Sequence, residues 1–209
     1  QLGIGMLHHE PNGAHVLIAD IEEENASRLA REIGNAEALR YDQSDPDSIR
    51  GLADRAGAVD VLVNNAGILL AKPLLECAWE EIRRLVDIDL LGVVLLTQLV
   101  GRGMVERRRG VIINISSQMA FCGGEGRVVY AAAKAAVAQL TRGAAVEWGS
   151  YGVRVVGIAP GRSATRMTES VRAEAVRGRA GIDRVPLGRW SAPEEIAKRL
   201  RQRVRDEVG

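Results

Sequence analysis

The chain has 209 residues, enough for one domain, and its 46% hydrophobic content allows a sizeable core. Aromatic residues make up only 3%, so that core must be built from Ala, Val, Leu and Ile. A formal net charge of +1 gives no case for a nucleic-acid or membrane partner, and no apolar run approaches the roughly 20 residues of a membrane span.

In chain order, residues 1–13, QLGIGMLHHEPNG, lack the basic start and apolar stretch of a secretory leader. HVLIAD (15–20) is a short run rich in β-branched residues, hence a buried strand. Over 21–34, Ala26, Leu29, Ala30 and Ile33 share one helical face, and Gly34 ends the helix. EALRYD (37–42) reads as a second strand, and 45–57 as a short helix. VDVLVNNAG (59–67) is a third strand that ends in Asn-Asn-Ala-Gly. A long helix is expected from about Trp79 to Arg109, with arginines at its negative end and Gly110 as the stop. GVIINISS (110–117) is a fourth strand, 129–149 an Ala-rich helix and VRVVGIAPG (153–161) a fifth strand. SAPEEIAKRL (191–200) opens a last helix, with Ser191 and Glu194 spaced as a capping box.

Strands alternate with helices and are apolar on both faces, which marks a parallel sheet covered on both sides. Neither repeat nor linker divides the chain, so a single α/β domain over 1–209 is expected. Cys77 and Cys122 sit in no CxxC pattern, and His8, His9 and His15 form no metal-ligand constellation with them. A reduced, cytoplasmic setting without a metal follows as the expectation.

Ligands of such sheets bind outside the carboxyl ends of the strands. The polar clusters fall there: Asp20, Asp42, Asn64–Gly67, Ser116 with Ser117, and Pro160 with Gly161. Asp20 lies 17 residues after Gly3. A carboxylate at about that distance from a glycine turn accepts hydrogen bonds from an adenosine ribose and repels a 2′-phosphate, which favours NAD over NADP. Asp20 and Glu23 also fit a capping box. Gly67 suits a backbone that must approach a flat ligand closely.

Tyr130 and Lys134 are four residues apart on a helix, so they share a face. A free tyrosine ionises near pH 10, too high for a base at neutral pH, but an adjacent ammonium favours the phenolate. A tuned tyrosine is then an acid–base group. Ser117, 13 residues earlier at a strand end, can donate a hydrogen bond to a substrate oxygen.

Together, Gly3-Ile4-Gly5, Asp20, NNAG, the Ser…YxxxK pair and the Pro-Gly segment with Thr165 resemble the short-chain dehydrogenase/reductase family over about residues 13 to 197. The resemblance implies a Rossmann-type doubly wound sheet, a nicotinamide cofactor, and hydride transfer between a secondary alcohol and a ketone. It implies that Tyr130 is the acid–base, that Ser117 orients the substrate oxygen, and that Lys134 assists Tyr130 and binds the nicotinamide ribose. Gly3, Ile4 and Gly5 would be what remains of the phosphate turn. Asn65, Ala66 and Gly67 would line the adenosine side, with Asp42 near the adenine. Pro160, Gly161 and Thr165 would hold the carboxamide. The partners implied are a small alcohol or ketone and further copies of the chain, as a homodimer or homotetramer through the long helices.

Three features depart from the family pattern. Asp89 stands where the family has an asparagine that holds a proton-relaying water, so Asp89 is expected to weaken the relay, because an ionised carboxylate cannot donate. The first strand of the sheet and the helix after it are missing: seven residues between Gly5 and Gly13, one of them Pro11, are too few for a parallel crossover of about 10–12. Two strands would then lack a neighbour. At the far end, five basic residues between 198 and 205 replace an apolar helix end, and a last strand is missing. The rival reading is a catalytically impaired or dead remnant of the same fold. Substrate identity stays open; it would be read by the loop 162–189 and by Gln118, Met119 and Phe121.

Overall fold

The computed structural model describes residues 4–10, 13–173, 182–183 and 185–208. They fall into two compact units, residues 2–159 and residues 160–209. The first unit is a six-stranded sheet with helices on both faces. Its strands are β1 (Ile4–Glu10), β2 (Gly13–Asp20), β3 (Ala36–Arg40), β4 (Val61–Asn64), β5 (Gly110–Ile115) and β6 (Val153–Ile158). Its helices are α1 (Glu23–Ile33), α2 (Pro46–Ala56), α3 (Trp79–Val86), α4 (Gly92–Arg107) and α5 (Val128–Trp148). The sheet order is β3-β2-β1-β4-β5-β6.

The central position, expected to be vacant, is filled. β1 lies between β2 and β4 and runs antiparallel to both, pairing Ile4 with Ala19 on one side and with Asn64 on the other. Only two residues separate Glu10 from its partner Gly13. A connection that short can make an antiparallel hairpin but never a parallel crossover. The missing first strand is thus corrected: a strand is present with reversed direction, and it supplies the partners that β2 and β4 need. All other neighbours are parallel. Among the described residues no strand follows β6.

Alternate residues of the strands feed the two faces. Leu17, Leu62, Ile112 and Val155 meet Ile49 and Leu52 of α2, Leu96, Val100 and Met104 of α4, and Ala144 of α5. Ile18 points to the other face, under Ala26 and Ala30 of α1. Each fully buried Leu or Ile adds about 1.5–3 kcal/mol, which is how a core so poor in aromatics holds.

The long helix is continuous from Trp79 to Arg107 but contains one π-helical turn, Asp87–Leu91. By length and composition it could cross a membrane, contrary to the expectation that no run comes close. Its apolar residues Val93, Leu96, Val100 and Met104 are taken up by the core. It stops one residue after Arg107, where Arg108 adopts the left-handed conformation (φ 53°). Gly110, expected as the stop, begins β5 instead, and a Cβ there would collide with Met104.

In the second unit, a bridge joins Ser163 to Ser191, whose hydroxyls lie 2.9 Å apart. A short turn, Arg166–Thr168, leads into α6 (Glu169–Ala173), and α7 spans Pro193–Val208. The expected capping box shifts by one residue: Glu195, not Glu194, accepts the Ala192 N–H at 2.7 Å, while Ser191 is held by Arg162 and Ser163.

Candidate functional site

Lys134 is the hub of the site. Its side chain is 7% exposed, and its ammonium lies 3.1 Å from Asp89 Oδ2, with Asp89 fully buried. The ammonium also donates to the Ile115 carbonyl at the end of β5 (3.3 Å) and sits 5.8 Å from the centre of the half-buried Tyr130 ring. The spacing of four residues on α5 thus places Tyr130 and Lys134 together, as expected. The Ser116 hydroxyl donates to the Lys134 carbonyl (2.8 Å), which ties the end of β5 to α5. Next to it, Ser117 is 8% exposed, and its hydroxyl accepts the Met119 N–H at 3.2 Å. Its own proton remains available to a substrate oxygen.

The loop after β4 closes over this hub. Ile68 donates its N–H to Asp89 Oδ1 at 2.7 Å. Gly67 lies so near that a Cβ on it would stand 3.0 Å from Asp89 Oδ2 and 3.3 Å from the Lys134 ammonium. A side chain there would crowd the ion pair and make it shift. Asn65 and Ala66 are half-buried beside it, and the Ala66 carbonyl faces the Gln43 amide at 3.5 Å. Burial pushes the Asp89 carboxyl above its ordinary value, opposed by the Lys134 charge and the Ile68 N–H. Oδ2 lies against the Lys134 ammonium, which meets it as a counter-charge at 3.1 Å.

Asn64 belongs to the strand-end cluster read from the sequence, but Thr97, Asn114, Thr141 and Gln43 were not singled out there. Asn64 at the end of β4 donates to Thr97 of α4 (3.0 Å) and to Asn114 of β5 (2.8 Å), and Asn114 donates to Thr141 of α5 (3.0 Å). Gln43, just past β3, donates to the Ile88 carbonyl inside the π-helical turn at 2.5 Å. The signal was available in Asn114, a lone amide inside the apolar run GVIINI, since a buried amide demands partners.

Of the other expected residues, Asp20 and Asp42 lie farther along the same sheet edge. Asp20 ends β2, is 6% exposed, and accepts the Glu22 N–H at 2.9 Å. That bond is a turn contact before α1, not the Asp20–Glu23 capping box. Asp42 follows β3, and the Ser44 hydroxyl (2.6 Å) and N–H (2.9 Å) hold its carboxyl below the ordinary value. It lines an open groove of about 640 Å³ with Ile21, Ser44, Trp79, Arg84 and Ile88. Ile4 reaches this edge by the reversed direction of β1; Gly5 lies within the strand, and Gly3 lies outside the described residues. The chain continues from Gly5 as strand, so the glycine turn into a helix that the resemblance implies is corrected. Pro160, Gly161 and Thr165 belong to the second unit, where the Thr165 N–H donates to Thr168 (3.1 Å).

A nicotinamide nucleotide fits the chain at both ends of its length. Lys134 retains one of three N–H donors beyond Ile115 and Asp89, suited to a ribose hydroxyl. At the far side, Asp20 and Asp42 present carboxylates suited to ribose and adenine. No helix N-terminus for the pyrophosphate stands at β1 among the described residues.

The family model for short chain dehydrogenases matches residues 7–176. Cis-4-hydroxycyclohexanecarboxylate dehydrogenase of Sinomonas cyclohexanicum is 40% identical over 196 residues, covering 90% of this chain and 78% of the relative. The 3-oxoacyl-acyl-carrier-protein reductase of Thermotoga maritima is 35% identical over 194 residues, covering 89% and 78%. A gluconate 5-dehydrogenase from Burkholderia cenocepacia, solved with NADP and tartrate, superposes with a TM-score of 0.80 at 34% identity, covering 86% of this chain and 74% of that one. The chain belongs to the short-chain dehydrogenase family, and with it to the oxidoreductases.

Proposed function

We propose that the chain is an NAD-dependent oxidoreductase that interconverts a secondary alcohol and a ketone. The observation that carries this reading is the buried Lys134 ammonium beneath Tyr130, at the strand end that also carries Ser117. Ser117 donates its hydroxyl proton to the substrate oxygen and fixes its position. Tyr130 takes the alcohol proton in oxidation and returns it in reduction. Lys134 supports Tyr130 electrostatically and holds the ribose. Asn65, Ala66 and the Gly67 backbone line the nucleotide cleft. Ile4 lies beside the phosphates, and Asp42 lies near the adenine. When bound, the nicotinamide supplies the hydride acceptor or donor.

The preference for NAD rests on the Asp20 carboxylate, which a 2′-phosphate would meet at close range. The Burkholderia neighbour was solved with NADP, so the choice of nucleotide is the sharpest point of test. The reading also takes 1–209 as one nucleotide-binding domain, cytoplasmic, and dimeric or tetrameric through the helices 79–107 and 128–148. Hydroxy acids are the first substrates to screen, since the Sinomonas and Burkholderia proteins are named for a hydroxycarboxylate and for gluconate.

The deciding experiment titrates NADH and NADPH into the purified protein and follows nucleotide fluorescence. Saturable NADH binding with weaker NADPH binding supports the reading. Binding of neither by a folded protein would favour the impaired remnant, to which the reversed β1 would then point.

A further inference from the structure

Three charged side chains are buried among the described residues: Asp20, Asp89 and Lys134. Two of them meet. Asp89 enters from the π-helical turn between α3 and α4, and its two oxygens are used differently. Oδ1 accepts the Ile68 N–H, whereas Oδ2 stands 3.1 Å from the Lys134 ammonium as its counter-charge. An asparagine could keep the first contact. Only a carboxylate supplies the second as a charge.

Tyr130 sees the consequence. An isolated ammonium 5.8 Å from its ring would act on it as a point charge. With a carboxylate 3.1 Å from that ammonium, the pair presents a dipole whose field falls off faster with distance. The pair is dry, so solvent screens it little. We propose, on the reading that Tyr130 and Lys134 carry the chemistry, that Asp89 is a positioning residue. It pins the Lys134 ammonium and cancels its charge, so that the site turns over at a more alkaline pH than it would with an uncharged side chain at 89.

Among the described residues, no other element packed on α5 brings a buried charged group to this point. β5 contributes only its Ile115 carbonyl, and the turn 118–120 has no titratable group. β6 carries Arg154, which is exposed, and the turn 149–151 carries Tyr151, which stacks on Arg108. On α3, Glu81 is bound to Lys72 (2.8 Å), Arg83 faces Asp87 (4.0 Å), and Glu80 and Arg84 line the groove beside Asp42. On α4, Arg102, Glu106 and Arg107 are exposed. On α5 itself, Glu147 is exposed, and Arg142 lies over Phe121.

The test compares the protein with Asp89→Asn by two readouts. One is the pH–rate profile at saturating nucleotide and alcohol. The other needs no turnover: near-ultraviolet phenolate absorbance against pH, with Tyr130→Phe as the background that isolates this tyrosine. Asp89→Asn is expected to move the rising limb of the profile to lower pH by about one unit. The phenolate signal should move the same way, and the difference should vanish in the Tyr130→Phe background. A rate changed by one factor at every pH, with the absorbance curve unmoved, would overturn the proposal and return Asp89 to a structural or relay role. If neither protein turns over, the oxidoreductase reading fails by itself, and the absorbance curves still decide the charge argument. Asp89→Ser, smaller and uncharged, repeats both measurements should Asp89→Asn not fold.

Discussion

Asn64 Nδ2 donates to Asn114 Oδ1 at 2.8 Å, directly across the paired ends of β4 and β5. Thr97 and Thr141 extend the chain to α4 and α5, so two strands and two helices are fastened just below the site. Leaving a buried amide without its partners costs about 1–3 kcal/mol. Asn114→Ala should therefore lower stability by about 2 kcal/mol, read as a shifted urea midpoint with unchanged slope. A loss of under a few tenths would mean the chain of amides holds nothing.

Gly67 is fixed by crowding rather than by its backbone angle. Gly67→Ala would drive a methyl to within 3.0–3.3 Å of Asp89 and Lys134. The Asp89–Lys134 pair must shift, and small misplacements at a reacting centre can cost up to about 100-fold. The expected outcome is kcat reduced on the order of 10–100-fold, with a melting temperature close to that of the parent. A variant with parental kcat would show that Lys134 tolerates the displacement.

Gly92 tests packing without touching the chemistry. A Cβ there would collide with the Gln43 carbonyl, a main-chain atom that cannot move aside. Gly92→Ala should cost about 3 kcal/mol, measured by thermal or denaturant unfolding. Normal stability would mean that α4 can shift on the sheet.

Much of this was legible in the sequence. Apolar runs of strand length alternate with helical stripes, and a parallel sheet follows from that pattern alone. The placement of Tyr130 against Lys134 follows from helical spacing. What stayed hidden depends on direction and on partners. LGIG looks like a glycine turn, and only the two-residue link between Glu10 and Gly13 forces a hairpin that reverses β1. The π-helical turn at 87–91 adds a residue to an otherwise regular helix and leaves no mark in VDIDLLG. Asp89 could be placed opposite an expected asparagine, but its partner emerged only once α5 was packed.

Asp89 should also leave a signature in the pH dependence of stability. Burial raises its carboxyl above the ordinary value of 3.8, by more than Lys134 and Ile68 lower it. Folding therefore favours the protonated form relative to the unfolded chain. The stability this contributes is fully present below the unfolded value and is lost as pH rises through the raised folded value. From about pH 4 upward, the parent should lose stability relative to Asp89→Asn, which has no such proton to lose. Urea unfolding of both proteins from pH 3.5 to 7 measures the difference. Parallel curves would mean that Asp89 has the same proton affinity folded and unfolded.

Asp20 decides the nucleotide if the cleft works as proposed. Its Oδ1 is already engaged by the Glu22 N–H, an acceptor role that an asparagine can keep. Asp20→Asn thus removes the charge while sparing the turn before α1. A 2′-phosphate then meets an amide instead of a carboxylate, and a ribose hydroxyl loses its strongest acceptor. The ratio of NADPH to NADH affinity should rise by about tenfold, equivalent to ~1.4 kcal/mol. Fluorescence titration of both nucleotides into both proteins reads it directly. An unchanged ratio would show that the Asp20 carboxylate does not face the adenosine ribose, and the preference for NAD would fall with it.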